Sequence, residues 1–243
     1  MKALIKTNNK VRDIIISIVC IFVIVVSLGV SGVFLYQHLA YDQFWVSGQS
    51  MYPTLNKEAK YADGTLVGKR RIRGFQDGEY DVDFGFMTKS KKAVEKISRF
   101  NIVVFEAGEN LLSYNIKRII ALPGETFYIT SSRDEHNGDL YILDKSTNEF
   151  VYTAQPLESE YITCGSYPEA YATPYTLKDD EYFVMGDNRE GNNSYDSRAT
   201  GPISKERITG VAVALDGKAT LGHNKKGEFT SVKVKRYWPR FFK

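Results

Sequence analysis

Histidine and cysteine are scarce in this chain of 243 residues, which has three of the first and two of the second. Cys20 lies inside a long apolar run and Cys164 far beyond it, so the two do not read as a disulfide pair. No CxxC and no Cys/His cluster has the spacing of a zinc site, and His38, His136 and His223 stand in unrelated contexts. Chemistry that needs a metal, a cofactor or a histidine base has no residues to rest on, so none is expected. Concentrated charge is lacking too. A net charge of +3 with no basic stripe argues against a nucleic-acid partner. After residue 37 no long stretch carries a clean helical period, and there is no internal repeat or low-complexity tract.

Charge is absent altogether from one stretch, Ile14 to Tyr36, "IIISIVCIFVIVVSLGVSGVFLY". As a helix rising about 1.5 Å per residue it reaches roughly 34 Å, enough to cross a bilayer with some tilt. The apolar core of a cleaved signal peptide is shorter, on the order of 7–15 residues, so the run reads as a retained anchor. Lys2, Lys6, Lys10 and Arg12 precede it, while His38 and Asp42 follow. By the basic-flank rule, residues 1–13 are expected as a cytoplasmic tail and 14–36 as the anchor. Residues 37–243 are then the extracytoplasmic domain, with the lipid bilayer as a partner.

Beyond the anchor, "RFNIVVFEAG", "EYFVMGD", "ITGVAVAL" and "SVKVKRYW" read as strands bounded by turn residues. Thr88 to Ile97 reads as a short solvated helix. The Tyr-rich section 125–182 reads as a β-rich insertion between two strands that bear motifs. The expected class is mainly β, preceded by one transmembrane helix.

Three polar stretches stand out: "SGQSMYPT" around Ser50, "YNIKRIIALPGE" around Lys117, and "MGDNREGNNSYDSR" from Met185 to Arg198. Singly each is weak, since a lone serine, a lone lysine and a Gly-Asp-Asn loop are usually structural. In this order, with the anchor before them and "RYWP" after, they make the chain resemble the type I signal peptidases. The short single-anchor forms of Gram-positive bacteria are the nearest in pattern.

The resemblance implies a membrane-anchored serine endopeptidase with a Ser–Lys dyad on a β-rich fold. It implies signal peptides of exported preproteins as substrates, cleaved after small residues. Ser50 falls on the nucleophile and Lys117 on the general base. Ser194 falls on a hydroxyl that orients the lysine amine. Met51 and Pro53 match residues shaping the nucleophile turn and substrate cleft. Asp187, Asn188, Arg189, Asp196, Ser197 and Arg198 match the bracing polar loop, and Arg118 is expected to pair with Asp187.

The chain also departs from the family pattern. Gly48 stands where some members carry an oxyanion-hole serine. "RFN" at 99–101 replaces the commoner Arg-Gly-Asp, Ala121 replaces a usual glycine, and "EGNN" lengthens the loop before Ser194. The segment 70–97 is longer than usual and has no assigned role. A processing factor for a narrow client set, linked to secretion or pilus machinery, is an alternative, and a non-catalytic anchored adaptor is a more distant one.

Physically, the dyad requires a neutral lysine, and at an unperturbed pKa only about one lysine in a thousand is neutral near pH 7.4. Ile116, Ile119, Ile120 and Ala121 supply the apolar surroundings that disfavour the charged form.

Overall fold

The structure is a computed structural model, described here over residues 2–60, 78–108, 114–131, 137–191, 193–223 and 229–242. It divides into two compact units, Met1–Tyr41 and Asp42–Lys243.

The first unit is essentially one helix, α1 (Lys2–Ala40). It overruns the uncharged stretch at both ends because neither flank holds a proline or glycine to stop it. From Lys10 to Ala40 it is long and apolar enough to cross a membrane, and its side chains are exposed from Lys10 to Leu39.

The second unit is mainly β. Its larger sheet contains β1 (Tyr41–Trp45), β2 (Gly78–Thr88), β3 (Ile102–Glu106) and β4 (Tyr114–Ala121). A helix of one turn, α2 (Lys91–Glu95), lies within the stretch expected to be helical and is capped by Ser90. The smaller sheet contains β5 (Thr126–Ile129), β6 (Leu140–Asp144), β7 (Glu149–Thr153) and β8 (Tyr175–Thr176), with α3 (Ser159–Thr163) between the last two. The chain then returns to the large sheet as β9 (Glu181–Met185), α4 (Ser197–Thr200), β10 (Ile203–Ser204), β11 (Ile208–His223) and β12 (Phe229–Phe241).

The large sheet runs β1-β2-β11-β3-β4-β9-β10, with β12 also pairing β11, and the small one runs β7-β6-β5-β8. Residues 126–176 therefore make a sheet of their own. Its interior packs Phe127, Ile129 and Leu140 with Ile120, Phe183 and Met185 of the large sheet. Burying those side chains is the main term joining the sheets, at roughly 1.5–3 kcal/mol per large apolar side chain.

β2 lies in the segment that the sequence left without a role. Tyr80, Val82 and Phe84 are buried while Glu79 and Asp81 are exposed, the alternation of a half-buried strand, and from Val82 to Gly85 the strand is buried on both faces. Residues 70–77 lie outside the described residues.

Antiparallel registers fix the centre of the large sheet. Val103 faces Lys117 and Ile102 faces Arg118 across β3 and β4, while Arg118 faces Met185 across β4 and β9. This last pairing brings Asp187, two residues past Met185, beside Arg118. A separate cluster, with Phe44, Val46, Met51, Leu55, Ile102, Val104 and Leu215, anchors the segment that carries Ser50.

Candidate active site

Ser50 opens a tight turn closed by the Tyr52 N–H donating to the Gln49 carbonyl at 3.1 Å and the Leu55 N–H donating to the Met51 carbonyl at 2.9 Å. Met51 and Leu55 are fully buried in the cluster with Phe44 and Leu215, so the turn is bolted to the core from below. Met51 thus shapes the turn from inside and presents no exposed cleft wall. Pro53 follows Tyr52 through a cis peptide bond and is half-buried. The Ser50 backbone N–H has no acceptor among the described residues.

Lys117 reaches this turn from the centre of β4. Its Nζ stands 2.8 Å from Ser50 Oγ and 2.9 Å from the Ile116 carbonyl, to which it donates. Only 3% of the residue is exposed. Burial lowers its pKa to about 8, from 10.5, against the opposing charges of Asp196 and Asp187; Arg198 adds to the lowering. At pH 7.4 roughly one such amine in five is neutral, against about one in a thousand unperturbed. A neutral amine bonded to Ile116 keeps its lone pair for the serine proton. The pair can therefore make a nucleophile without a metal. Among the described residues no cluster of three His, Cys, Asp or Glu side chains is placed to hold a metal ion.

Arg118, next along the strand, grips Asp187 with two hydrogen bonds, Nε to Oδ1 at 2.8 Å and Nη2 to Oδ2 at 2.6 Å. Both are buried, and Thr54 Oγ1 donates to the same carboxylate at 2.5 Å. The pair thereby ties β4 to the turn four residues beyond Ser50.

The family model for signal peptidase, peptidase S26, matches residues 12–215 of this chain, which covers most of the helix, the turn, β4 and the polar loop. The chain belongs to the S26 signal peptidases. It is 30% identical to a signal peptidase I of Bacillus amyloliquefaciens over 186 residues, covering 76% of this chain and 78% of that protein. Signal peptidase I T of Bacillus subtilis (strain 168) is 30% identical over 73% of this chain and 75% of its own. A signal peptidase I of Leptolyngbya laminosa is 38% identical, but the chain spans just over half of it, 56%. A crystal structure of a signal peptidase I from Enterococcus faecalis V583 is 28% identical, covers 48% of this chain and 96% of its own, and superposes with a TM-score of 0.34.

In this S26 chain the polar loop braces the turn from behind. The Asn188 N–H donates to the Ser50 carbonyl at 3.0 Å and Asn188 Nδ2 to the Gln49 carbonyl at 3.1 Å. Asn193, in the lengthened part of the loop, accepts from Gln49 Nε2 at 3.2 Å and donates to Asn188 Oδ1 at 3.3 Å. Gln49 and Asn193 were not singled out in the sequence. Their only signal was their position beside motif residues.

Ser194 sits against Gly186, where an added Cβ would fall 2.2 Å from Ser194 Oγ and 2.3 Å from the Ser50 carbonyl oxygen, so only glycine fits. The Ser194 hydroxyl donates to Asp196 Oδ2 at 2.6 Å. The hydrogen bonds of Lys117 Nζ go to Ser50 and Ile116 instead. Ser194 thus makes no direct bond to the lysine, and the Asp196 carboxylate it donates to acts on Lys117 by charge alone, which differs from the expectation carried by the family pattern.

Asp196 also accepts from Gly186 N–H at 2.9 Å and from Arg198 Nε and Nη2, both at 2.9 Å. Burial pushes its carboxyl up, but the bonds and charge of Arg198, with those of Ser194 and Gly186, hold it below the usual range. Ser197 Oγ accepts the Val184 N–H at 3.0 Å, closing the end of β9.

Gly48 is exposed, with open space where a side chain would stand. Phe100, at the glycine position of the commoner Arg-Gly-Asp, keeps a left-handed φ of 69°. That backbone is unfavourable for a bulky residue. It is held there by the Phe100 carbonyl accepting Arg118 Nη1 at 2.8 Å.

Proposed function

We propose that this chain cleaves signal peptides from exported preproteins after small residues, with Ser50 as nucleophile and Lys117 as general base. The observation that carries this reading is the buried amine 2.8 Å from Ser50 Oγ, with its pKa lowered to about 8. Ser50 Oγ attacks the scissile carbonyl as its proton passes to Lys117 Nζ. The oxyanion takes a hydrogen bond from the free Ser50 N–H. Nζ then returns the proton to the departing amine, leaving a seryl ester, and a water deprotonated by the same amine hydrolyses it.

The peptide docks in extended form along the segment entering the turn. Ser47 is exposed, and its backbone N–H and carbonyl have no partner among the described residues, as in a sheet edge open to an added strand. α1 anchors the domain with its basic end inside the cell, so that substrates held in the same bilayer meet the site at raised effective concentration.

A preprotein bearing a small-x-small sequence tests the reading. Parent protein is expected to release the mature part, and both Ser50→Ala and Lys117→Met to lose at least about a thousandfold in rate. Unchanged turnover in either variant removes the dyad.

A further inference from the structure

Asn56 is fully buried one residue past the nucleophile turn, with a left-handed φ of 61°. Asparagine tolerates that backbone better than most residues. Its side chain uses both of its donors and its acceptor oxygen on nearby backbone groups. Nδ2 donates to the Val46 carbonyl at 2.5 Å and to the Gly48 carbonyl at 3.0 Å. Oδ1 accepts the backbone N–H of Asp83 on β2 at 2.7 Å. The Asp83 carboxylate returns the contact, accepting the Asn56 N–H at 2.7 Å, and the Asp83 carbonyl accepts the Val46 N–H at 3.1 Å.

Bonds therefore fall on residues 46 and 48 and skip residue 47, the alternation of an extended strand. Where β2 stops pairing with the entering segment, one side chain continues the ladder in its place. Fixing both flanking carbonyls inward turns the peptide groups of Ser47 outward.

We propose that Asn56, with Asp83, is a positioning pair that holds Val46–Gly48 as an open edge for the upstream part of the peptide substrate. This rests on the peptidase reading above. Neither residue touches the reacting atoms. Both act through the backbone that precedes Ser50, and neither alters the surroundings of Lys117.

The test uses the full chain in detergent and two quenched peptides with one cleavage site, one extending six residues upstream and the other two. In the parent, kcat/KM favours the longer peptide. In Asn56→Ala that preference is expected to shrink about tenfold through KM, while the rate limb stays centred near pH 8. Equal losses on both peptides mark a merely structural role and overturn the proposal, as does an unchanged preference. Asn56→Gly keeps the left-handed backbone without strain and deletes both donors, and serves if the alanine variant does not fold. In a Ser50→Ala background the longer peptide is expected to bind about tenfold more weakly once Asn56 is replaced. Equal binding overturns the proposal. A parent that binds this peptide but never cleaves it sinks the peptidase reading alone.

Discussion

Lys117 and Arg118 are neighbours on one strand, buried to the same degree, and the structure treats their charges in opposite ways. Arg118 lies in a fork–fork contact with Asp187, whose second oxygen also accepts from Thr54. Lys117 bonds only to a hydroxyl and a carbonyl, neither of them charged, and its nearest carboxylates act at a distance. Pairing keeps one cation in the protein interior, and the lack of pairing drives the other toward neutrality. The polar loop repeats the first pattern, with Arg198 on Asp196. A rigid frame of two buried ion pairs thus surrounds a single unpaired amine.

The difference between the two strand neighbours can be broken by exchanging their chemistry. Lys117→Arg places a group that does not give up its proton beside Ser50, and activity on a preprotein is expected to fall at least about a thousandfold despite the retained charge. Activity within tenfold of the parent would show that the amine's neutral form is not what matters. Asp187→Ala strands the Arg118 guanidinium without its partner. A loss of about 3–5 kcal/mol in unfolding free energy is expected from denaturant titration. A loss below about 1 kcal/mol would mean that Arg118 finds water instead.

Lys117→Met should act in the other direction on stability. The folded lysine titrates at about 8 and the unfolded one at 10.5, so below pH 8 the folded state carries a buried ammonium. Between pH 8 and 10.5 the unfolded chain binds more protons, and parent stability rises with pH. The methionine variant is therefore expected to exceed the parent by up to about 3 kcal/mol below pH 8, with the gap closing toward pH 10.5. A gap independent of pH would contradict burial as the cause of the shift. The smallest effect is reserved for Gly48→Ser. Open space surrounds that position, so thermal unfolding should shift by no more than about 0.5 kcal/mol.

Much of this site was legible as a string. Ser50, Lys117, Asp187 and Asp196 stood in polar stretches whose order marked the family, and the strands that carry them showed as short apolar runs. β2 was legible in principle, since Tyr80, Val82 and Phe84 alternate with polar residues, but its aspartates and glycines masked the run. Phe100 hid a turn, because a bulky residue gives no hint of a left-handed backbone. Thr54 lay inside the stretch around Ser50 without a role of its own, and Asn56 and Asp83 gave no signal at all. Each bonds to a partner far along the chain, and a lone threonine, asparagine or aspartate reads as a turn residue.

The order of residues alone determined a membrane-length apolar helix and a mainly β domain behind it, because periodicity and hydropathy are properties of neighbours, and the order of its polar stretches carried the likeness to one family that singled out Ser50 and Lys117. Only the tertiary structure decided which cation is paired, how dry the amine is, and which side chains hold the backbone ahead of the serine. Those depend on distances between residues remote in the chain, and a hydrogen bond or a desolvation cost exists only once folding has closed them.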